Sequence, residues 1–460
     1  MTDTDLLIAG AGPAGLAAAI TAGQLGLRAI LVDENAQAGG QYYRQTPLRL
    51  GATQKPAGQM RRGAERIARA SDVARVRLQA SVWGLDDRKR VWIQSAAGSE
   101  VLNPRGVVLA TGSYDRPIAF PGWTLPGVLT AGGAQALAKG QIVRPGTRAV
   151  VAGTGPISLV VAAQLDLVGV KVVELVEAST VPRLALLGPR ALPYPSRWRD
   201  LPGLLRELAR AGVVLTFGSI IRSAHGAERV ERACVVRVGR DGRPDESTAR
   251  LLDVDLVCVG YGFVASTELA RIAGCALRWD PGHSQLVPRH DGWQETSVPG
   301  IFVAGEATGL GGAEMAEAQG TLAAIGVARR LGRLTERRAD ALAQPIRRRL
   351  RYWKGFASLL AQGFPIPAAT SWLVHDDTLV CRCENITYGQ VRDIVDAGAR
   401  VLNDLKMGTR CGMGLCQGRI CGALLPPLLA DQTDGRFDRT SMFTARPPVG
   451  PVSVSGLAST

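Results

Sequence analysis

The sequence predicts an α/β chain with two dinucleotide-binding (Rossmann-like) units and a small cysteine-bearing domain near its end. Three observations carry this. An apolar strand enters a glycine-rich turn at Gly10, and the same opening returns about 143 residues later at Gly153. Five of the eight cysteines fall between Cys381 and Cys421. A length of 460 residues with 46% hydrophobic residues allows roughly three domains with real cores.

The first unit opens with the strand Leu6-Leu7-Ile8-Ala9, the turn Gly10-Ala11-Gly12-Pro13-Ala14-Gly15, a helix from about Pro13 to Leu25, and a strand Ala29-Ile30-Leu31-Val32 ending at Asp33. This is a βαβ opening. Gly10 suits a tight turn, Gly12 lets a pyrophosphate approach the backbone, and Gly15 allows close helix–strand packing. The helix N-terminus offers the phosphates a partial positive charge. Asp33 follows Gly10 by 23 residues and is placed to accept from an adenosine ribose, with Glu34 as the neighbouring alternative.

Leu6 to Leu27 is apolar enough to be mistaken for a membrane span or a signal. The residues before it are acidic (Asp3, Asp5), and the phosphate-loop pattern interrupts it, so a buried strand–turn–helix explains it better. A soluble, cytoplasmic protein is expected. The net charge of +14 comes from a surplus of arginine, only six of the 54 basic residues being lysine. The arginines are scattered and not interleaved with aromatics, so a solvated basic surface is expected and nucleic-acid binding is not.

The second opening runs from the strand Ala149 to Ala152 through Gly153-Thr154-Gly155-Pro156-Ile157-Ser158 to a strand near Val170 to Val173. Ser158 stands where glycine or alanine is usual. Counting 23 residues from Gly153 reaches Val176, with Glu174 and Glu177 nearby and neither in clear register. A nicotinamide or adenine nucleotide (NAD(P) or ATP) on Gly153, Gly155, Pro156 and Glu177, or an empty scaffold, are both open readings. Residues 336–375 are expected as a helical connector, and residues 431–460 as a mobile or partner-ordered tail.

Two further segments, Ala110-Thr111-Gly112 and Gly300 to Glu306, resemble the second and third flavin fingerprints of two-dinucleotide-domain flavoproteins of the glutathione-reductase type. The resemblance implies FAD. It implies a split FAD unit (1–115 and 262–335) around a second unit (116–261). It also implies cofactor contacts at Gly305 and Glu306, although an Asp is usual where Glu306 stands. Gly40 and Gln41, in the run Gly39 to Arg44, resemble the loop that passes near the isoalloxazine. Gly312 and Ala313 begin a helix whose N-terminus would face the flavin N1–C2=O edge and stabilise an anionic reduced flavin. Cys234, Cys258 and Cys275 are isolated, which argues against a disulfide reductase.

The cysteine run is Cys381-Arg382-Cys383, then Cys411, Cys416 and Cys421. Clustered thiolates without a secretory signal suggest metal ligation, and zinc sites more often use CxxC knuckles, so the spacing favours iron–sulfur. Thr387 to Gln390 reads as a capping box opening a helix that Gly398 ends. Lys406, Arg410 and Arg419 are placed to offset a negative cluster. Residues 376–430 resemble the bacterioferritin-associated-ferredoxin [2Fe-2S] domain. Its pattern implies ligands at Cys381, Cys383, Cys416 and Cys421. Cys411 falls outside that pattern but could replace a ligand.

Taken in order, these motifs are similar to the α (A) subunits of bacterial opine oxidases, hydrogen cyanide synthase and heteromeric (hydroxy)proline dehydrogenases. The resemblance implies an electron-transfer subunit paired with a β subunit of D-amino-acid-oxidase type, sometimes with a small [2Fe-2S] γ subunit. The β subunit would oxidise a C–N bond and choose the substrate. Two alternatives stand beside it. One is a self-contained NAD(P)H-dependent flavin reductase; the other is an assembly role with a structural nucleotide. The four histidines form no recognisable acid–base constellation, so no general base is assigned.

Overall fold

A computed structural model describes residues 4–45, 58–199 and 201–458; Asp3 and the ends of the expected ranges 1–115 and 431–460 lie outside them. Two five-stranded parallel sheets carry the architecture. In the first, the strand order is Ile301–Val303, Gly106–Leu109, Leu6–Ala9, Ala29–Val32 and Arg75–Arg77. In the second it is Val214–Phe217, Lys171–Glu177, Arg148–Gly153, Leu256–Gly260 and Val128–Thr130. Each central strand is buried on both sides, as parallel strands covered by helices must be. The first sheet is completed by Ile301–Val303, nearly two hundred residues after its neighbour Gly106–Leu109, so the second unit is inserted into the first.

The helix Pro13–Gln24 is almost entirely small and apolar, and eight of its residues are buried. It packs on the helix Ala313–Arg330, and the approach is so close that a Cβ on Gly320 would lie 2.0 Å from the Ala14 carbonyl oxygen. Small residues on both helices bring two N-termini to the same edge of the sheet. Leu6, Ile8 and Leu31 are fully buried beneath them, each contributing roughly 1.5–3 kcal/mol. Among the described residues, no helix is long and apolar enough to cross a membrane. The apolar run from Leu6 is a buried strand, a turn and this helix.

Two short strands, Ser113–Asp115 and Phe263–Ala265, pair antiparallel and link the two units. A helix of 28 residues, Glu336–Gly363, forms the connector, started by Thr335, whose hydroxyl accepts from the Arg338 amide. The cluster domain is a hairpin (Leu379–Cys381 and Ile386–Thr387) followed by the helices Tyr388–Asp396, Leu402–Thr409 and Cys421–Gln432. The capping box of Thr387 and Gln390 forms, and Gly398 follows the helix end with φ +116°.

The final segment departs from the expectation of a mobile tail. Phe437 and Phe443 are buried. The Phe443 ring lies against Gly412, Gly418 and Gly422. Beyond it the chain reaches the flavin unit, where the Val449 amide donates to the Trp83 carbonyl. Proline and serine content suggested mobility, but two phenylalanines anchor the segment.

Candidate functional site: a flavin cleft and a thiolate cluster

The first glycine loop is closed by contacts that tolerate no side chain. A Cβ on Gly10, at φ +105°, would lie 2.3 Å from the Ala110 oxygen, and one on Gly15 would lie 1.8 Å from the Gly10 oxygen. Gly12, Pro13, Ala14 and Gly15 therefore open the helix directly over the sheet. At the end of the second strand, Asp33 is buried, and its carboxylate accepts from the Ala11 amide (2.6 Å) and the Asn35 amide (2.9 Å). Glu34 beside it is exposed. Of the two candidate acids, Asp33 is the one built into the loop.

Gly40 faces Gly12, the Gly40 Cβ position being 2.9 Å from the Gly12 Cα. Gln41 is exposed, and its side-chain oxygen accepts from Arg44. Ala110, Thr111 and Gly112 follow the third strand of the sheet, and the Thr111 hydroxyl donates to the Ser266 carbonyl. Gly305 and Glu306 sit at the end of the edge strand. The Ser113 hydroxyl donates to the Glu306 carboxylate, which fixes the longer acid at the cleft. Gly312 caps the helix that starts at Ala313. All the candidate flavin residues thus come to one edge of the first sheet, between two helix N-termini.

Sequence reading missed one member of this region. Glu317, one turn into the Ala313 helix, is buried. It accepts from the Tyr43 hydroxyl (2.6 Å) and pairs with Arg66 (2.7 Å) and Arg349 (3.4 Å). Burial and the Glu317 carboxylate push the Tyr43 phenol well above its usual range. The network ties the loop at Gly39–Arg44 to the connector helix. An acid inside an alanine-rich, otherwise buried helix was the available signal.

In the second unit, Glu177 holds the place that Asp33 holds in the first. Its carboxylate accepts from the Gly155 amide (3.0 Å) and the Ser179 amide (2.7 Å). Counting residues missed this because the strand carries a bulge: Ala149 pairs with Val172 but Val150 pairs with Glu174, so Val173 is extra. Glu174 instead pairs with Arg250. Ser158 is fully buried against Gly153. The loop is not open, however. The Phe364 ring lies 3.8 Å from the Gly155 Cβ position, and the Ser179 hydroxyl donates to the Gly363 carbonyl (2.8 Å). The end of the connector rests on the second loop, with Pro156 at its rim.

The cysteines converge. The sulfurs of Cys381, Cys411 and Cys421 lie within 4.8 Å of one another and are buried. Cys383, exposed, is in contact with Cys416 beside them. Hydrogen bonds from Cys411 and Cys421 hold the Cys381 thiol far below its usual range, toward thiolate. The family pattern omits Cys411, yet the fold places its sulfur in the buried trio. Five soft donors with no carboxylate or histidine among the trio fit an iron–sulfur cluster. Arg410 pairs with Glu384 (3.0 Å). Arg419, between Cys416 and Cys421, lies over the Tyr114 ring at 4.9 Å.

Cys234, Cys258 and Cys275 are buried singly, and burial pushes Cys258 up to about 12. No redox cysteine pair stands at the flavin cleft among the described residues. The histidines are equally separate: His283 contacts Asp280 and His375 contacts Arg222.

This geometry defines a flavoprotein oxidoreductase of the two-dinucleotide-domain class with an iron–sulfur domain appended. Residues 4–321 match the model of the pyridine nucleotide-disulphide oxidoreductase family, to which the chain belongs, and residues 379–431 match the BFD-like [2Fe-2S] binding domain. The chain is similar to the A-type subunit of the Rhizobium meliloti opine oxidase, at 32% identity over 99% of this chain and 87% of that one. It is 33% identical to hydrogen cyanide synthase subunit HcnB of Pseudomonas aeruginosa, over 98% and 97% of the two chains. Among solved structures, L-proline dehydrogenase from P. horikoshii shares the fold, with a TM-score of 0.71 at 20% identity, covering 99% of this chain and 79% of that chain.

Proposed function

We propose that this chain is the FAD- and [2Fe-2S]-containing electron-transfer subunit of a cytoplasmic heteromeric amino-acid or opine dehydrogenase. In this reading a β subunit of D-amino-acid-oxidase type oxidises a C–N bond and passes the electrons here, joined in some complexes by a small [2Fe-2S] γ subunit. The observation that carries it is the joining of cleft to cluster within one chain. Ser113 holds the flavin-side acid Glu306, and the next residue, Tyr114, carries Arg419 of the cluster loop. Similarity to the opine oxidase chain and to HcnB over nearly the whole length supports the same reading.

Each residue has a part in it. Asp33 holds the adenosine ribose, and the Gly10–Gly15 loop lets the pyrophosphate reach the helix N-terminus. Glu306 takes the ribityl chain. The N-terminus at Ala313 stabilises negative charge at the far end of the cleft. Cys381, Cys383, Cys416 and Cys421 hold the cluster, with Cys411 in reserve. When bound, FAD accepts electrons in pairs and can release them singly, and a [2Fe-2S] cluster carries one at a time.

A self-contained NAD(P)H reductase is the competing reading. Phe364 on the Gly155 loop counts against it, because a nucleotide pyrophosphate needs that backbone. In the proposed reading the second unit is instead a seat for the connector. Native purification with identification of copurifying chains, followed by anaerobic titration with amino acids and opines, tests the proposal. The expected results are flavin bleaching by a substrate in the complex and copurification with a β subunit. Full-rate dehydrogenation by the isolated chain, or rapid bleaching by NADH or NADPH in stopped flow, would overturn it.

A further inference from the structure

We propose that the seam between the flavin unit and the cluster domain holds a binding site for a small oxyanion, either a carboxylate or a tetrahedral inorganic ion. A cavity of about 80 Å³ lies there, bounded by the linking ribbon, the hairpin near Gln285, the cluster loop and the Phe443 segment. It has room for a few non-hydrogen atoms and far too little for a nucleotide.

The lining asks for negative charge. Arg116 is 5% exposed. Its Nη2 donates to the carbonyls of His283 (2.7 Å) and Phe263 (3.4 Å), while its Nε is buried without a partner. It forms no ion pair among the described residues. Gln285, 6% exposed, accepts from the Ala265 amide through Oε1 and leaves Nε2 buried and unpartnered. Two unmet donors side by side cost about 1–3 kcal/mol each, and a buried, unpaired guanidinium costs more. Water can satisfy the donors but cannot balance the charge. Arg271 and Arg419 also line the space, against the single acid Glu268.

The site is separate from the flavin cleft. Successive side chains of a strand point to opposite faces. Ser113 meets Glu306 on one face of the ribbon, so Tyr114 and Arg116 occupy the other. Arg419 belongs to the cluster loop, whereas Arg116 and Arg271 belong to the flavin unit. An anion held by all three fastens the domains together. Exposed Arg439 and Thr440 at the rim leave an approach for it.

The test titrates the full-length holoprotein with sodium phosphate and, separately, sodium acetate. Sodium chloride at matched ionic strength is the reference, and melting temperature is the readout. A saturable rise of at least about 2 °C is expected; a response to acetate alone, to phosphate alone or to both identifies which oxyanion the cavity accepts. Gln285→Glu keeps the acceptor for Ala265 and brings its own carboxylate to Arg116. That variant should melt higher than wild type without added anion and lose the response, as should Arg116→Met. No rise beyond the chloride reference, or an undiminished response in Gln285→Glu, would overturn the proposal.

Discussion

Asp33 and Glu177 occupy the same place in two loops, and only the first loop is open. Asp33→Ala removes two charge-assisted acceptors from the Gly10 turn and the proposed ribose contact. FAD affinity should fall at least about tenfold, read as flavin retained after gel filtration, with iron content unchanged. Among the cysteines, Cys421→Ala should abolish the visible absorption of the iron–sulfur domain, whereas Cys411→Ala should retain it with iron near wild-type content. The reverse result would move the ligand set onto Cys411. Asp5, beneath the first strand, gives a pH signature. Burial pushes its carboxyl up, but hydrogen bonds from Arg28 and the charges of Arg28 and Arg333 outweigh this and leave it below its usual range. A carboxyl lower in the folded than the unfolded chain stabilises above its unfolded value and loses that contribution as pH falls toward the folded one. Melting temperature should therefore drop more steeply below about pH 4 in wild type than in Asp5→Asn.

At the scale of elements, the final segment is the least expected. Phe443→Ala would leave three glycines of the cluster loop without their cover. A loss of roughly 3–5 kcal/mol is expected, with faster release of iron to a chelator. That segment was illegible because its sequence reads as turn-forming residues, and the glycines it packs on lie twenty to thirty residues earlier. The strand–turn–helix units were legible because their pattern is local. The first strand, first helix and capping box of Thr387 lie within a residue of the expected positions. The bulge at Val173 was not legible, since nothing in a run of Val and Glu says which residue leaves the ladder. For the same reason Glu177 could be named as a candidate but not aligned with Asp33. Glu317 went unnoticed because its partners, Tyr43, Arg66 and Arg349, are brought together only by helix packing.

Across the whole molecule, the connector is the member that unites the parts. Its middle meets Glu317 through Arg349, and its end covers Gly155 with Phe364. If the second unit serves as its seat, Gly155→Leu should weaken assembly with the partner subunit. Gly155 sits at φ +105° with the ring close by, so a side chain there cannot be accommodated without displacing the connector. Flavin reduction by the partner's substrate should persist in whatever complex forms, and size-exclusion chromatography with anaerobic spectroscopy separates the two effects.

The seat of Phe443 also orders events during synthesis. The cysteines emerge from the ribosome between residues 381 and 421, but the ring that closes over their loop emerges later, and its continuation must find a strand made near the start of the chain. Until then the thiols stand uncovered beside glycines that nothing holds. Iron delivery therefore has a window, open after the last cysteine appears and narrowing once Phe443 docks, and a truncation just before that residue would hold the window open.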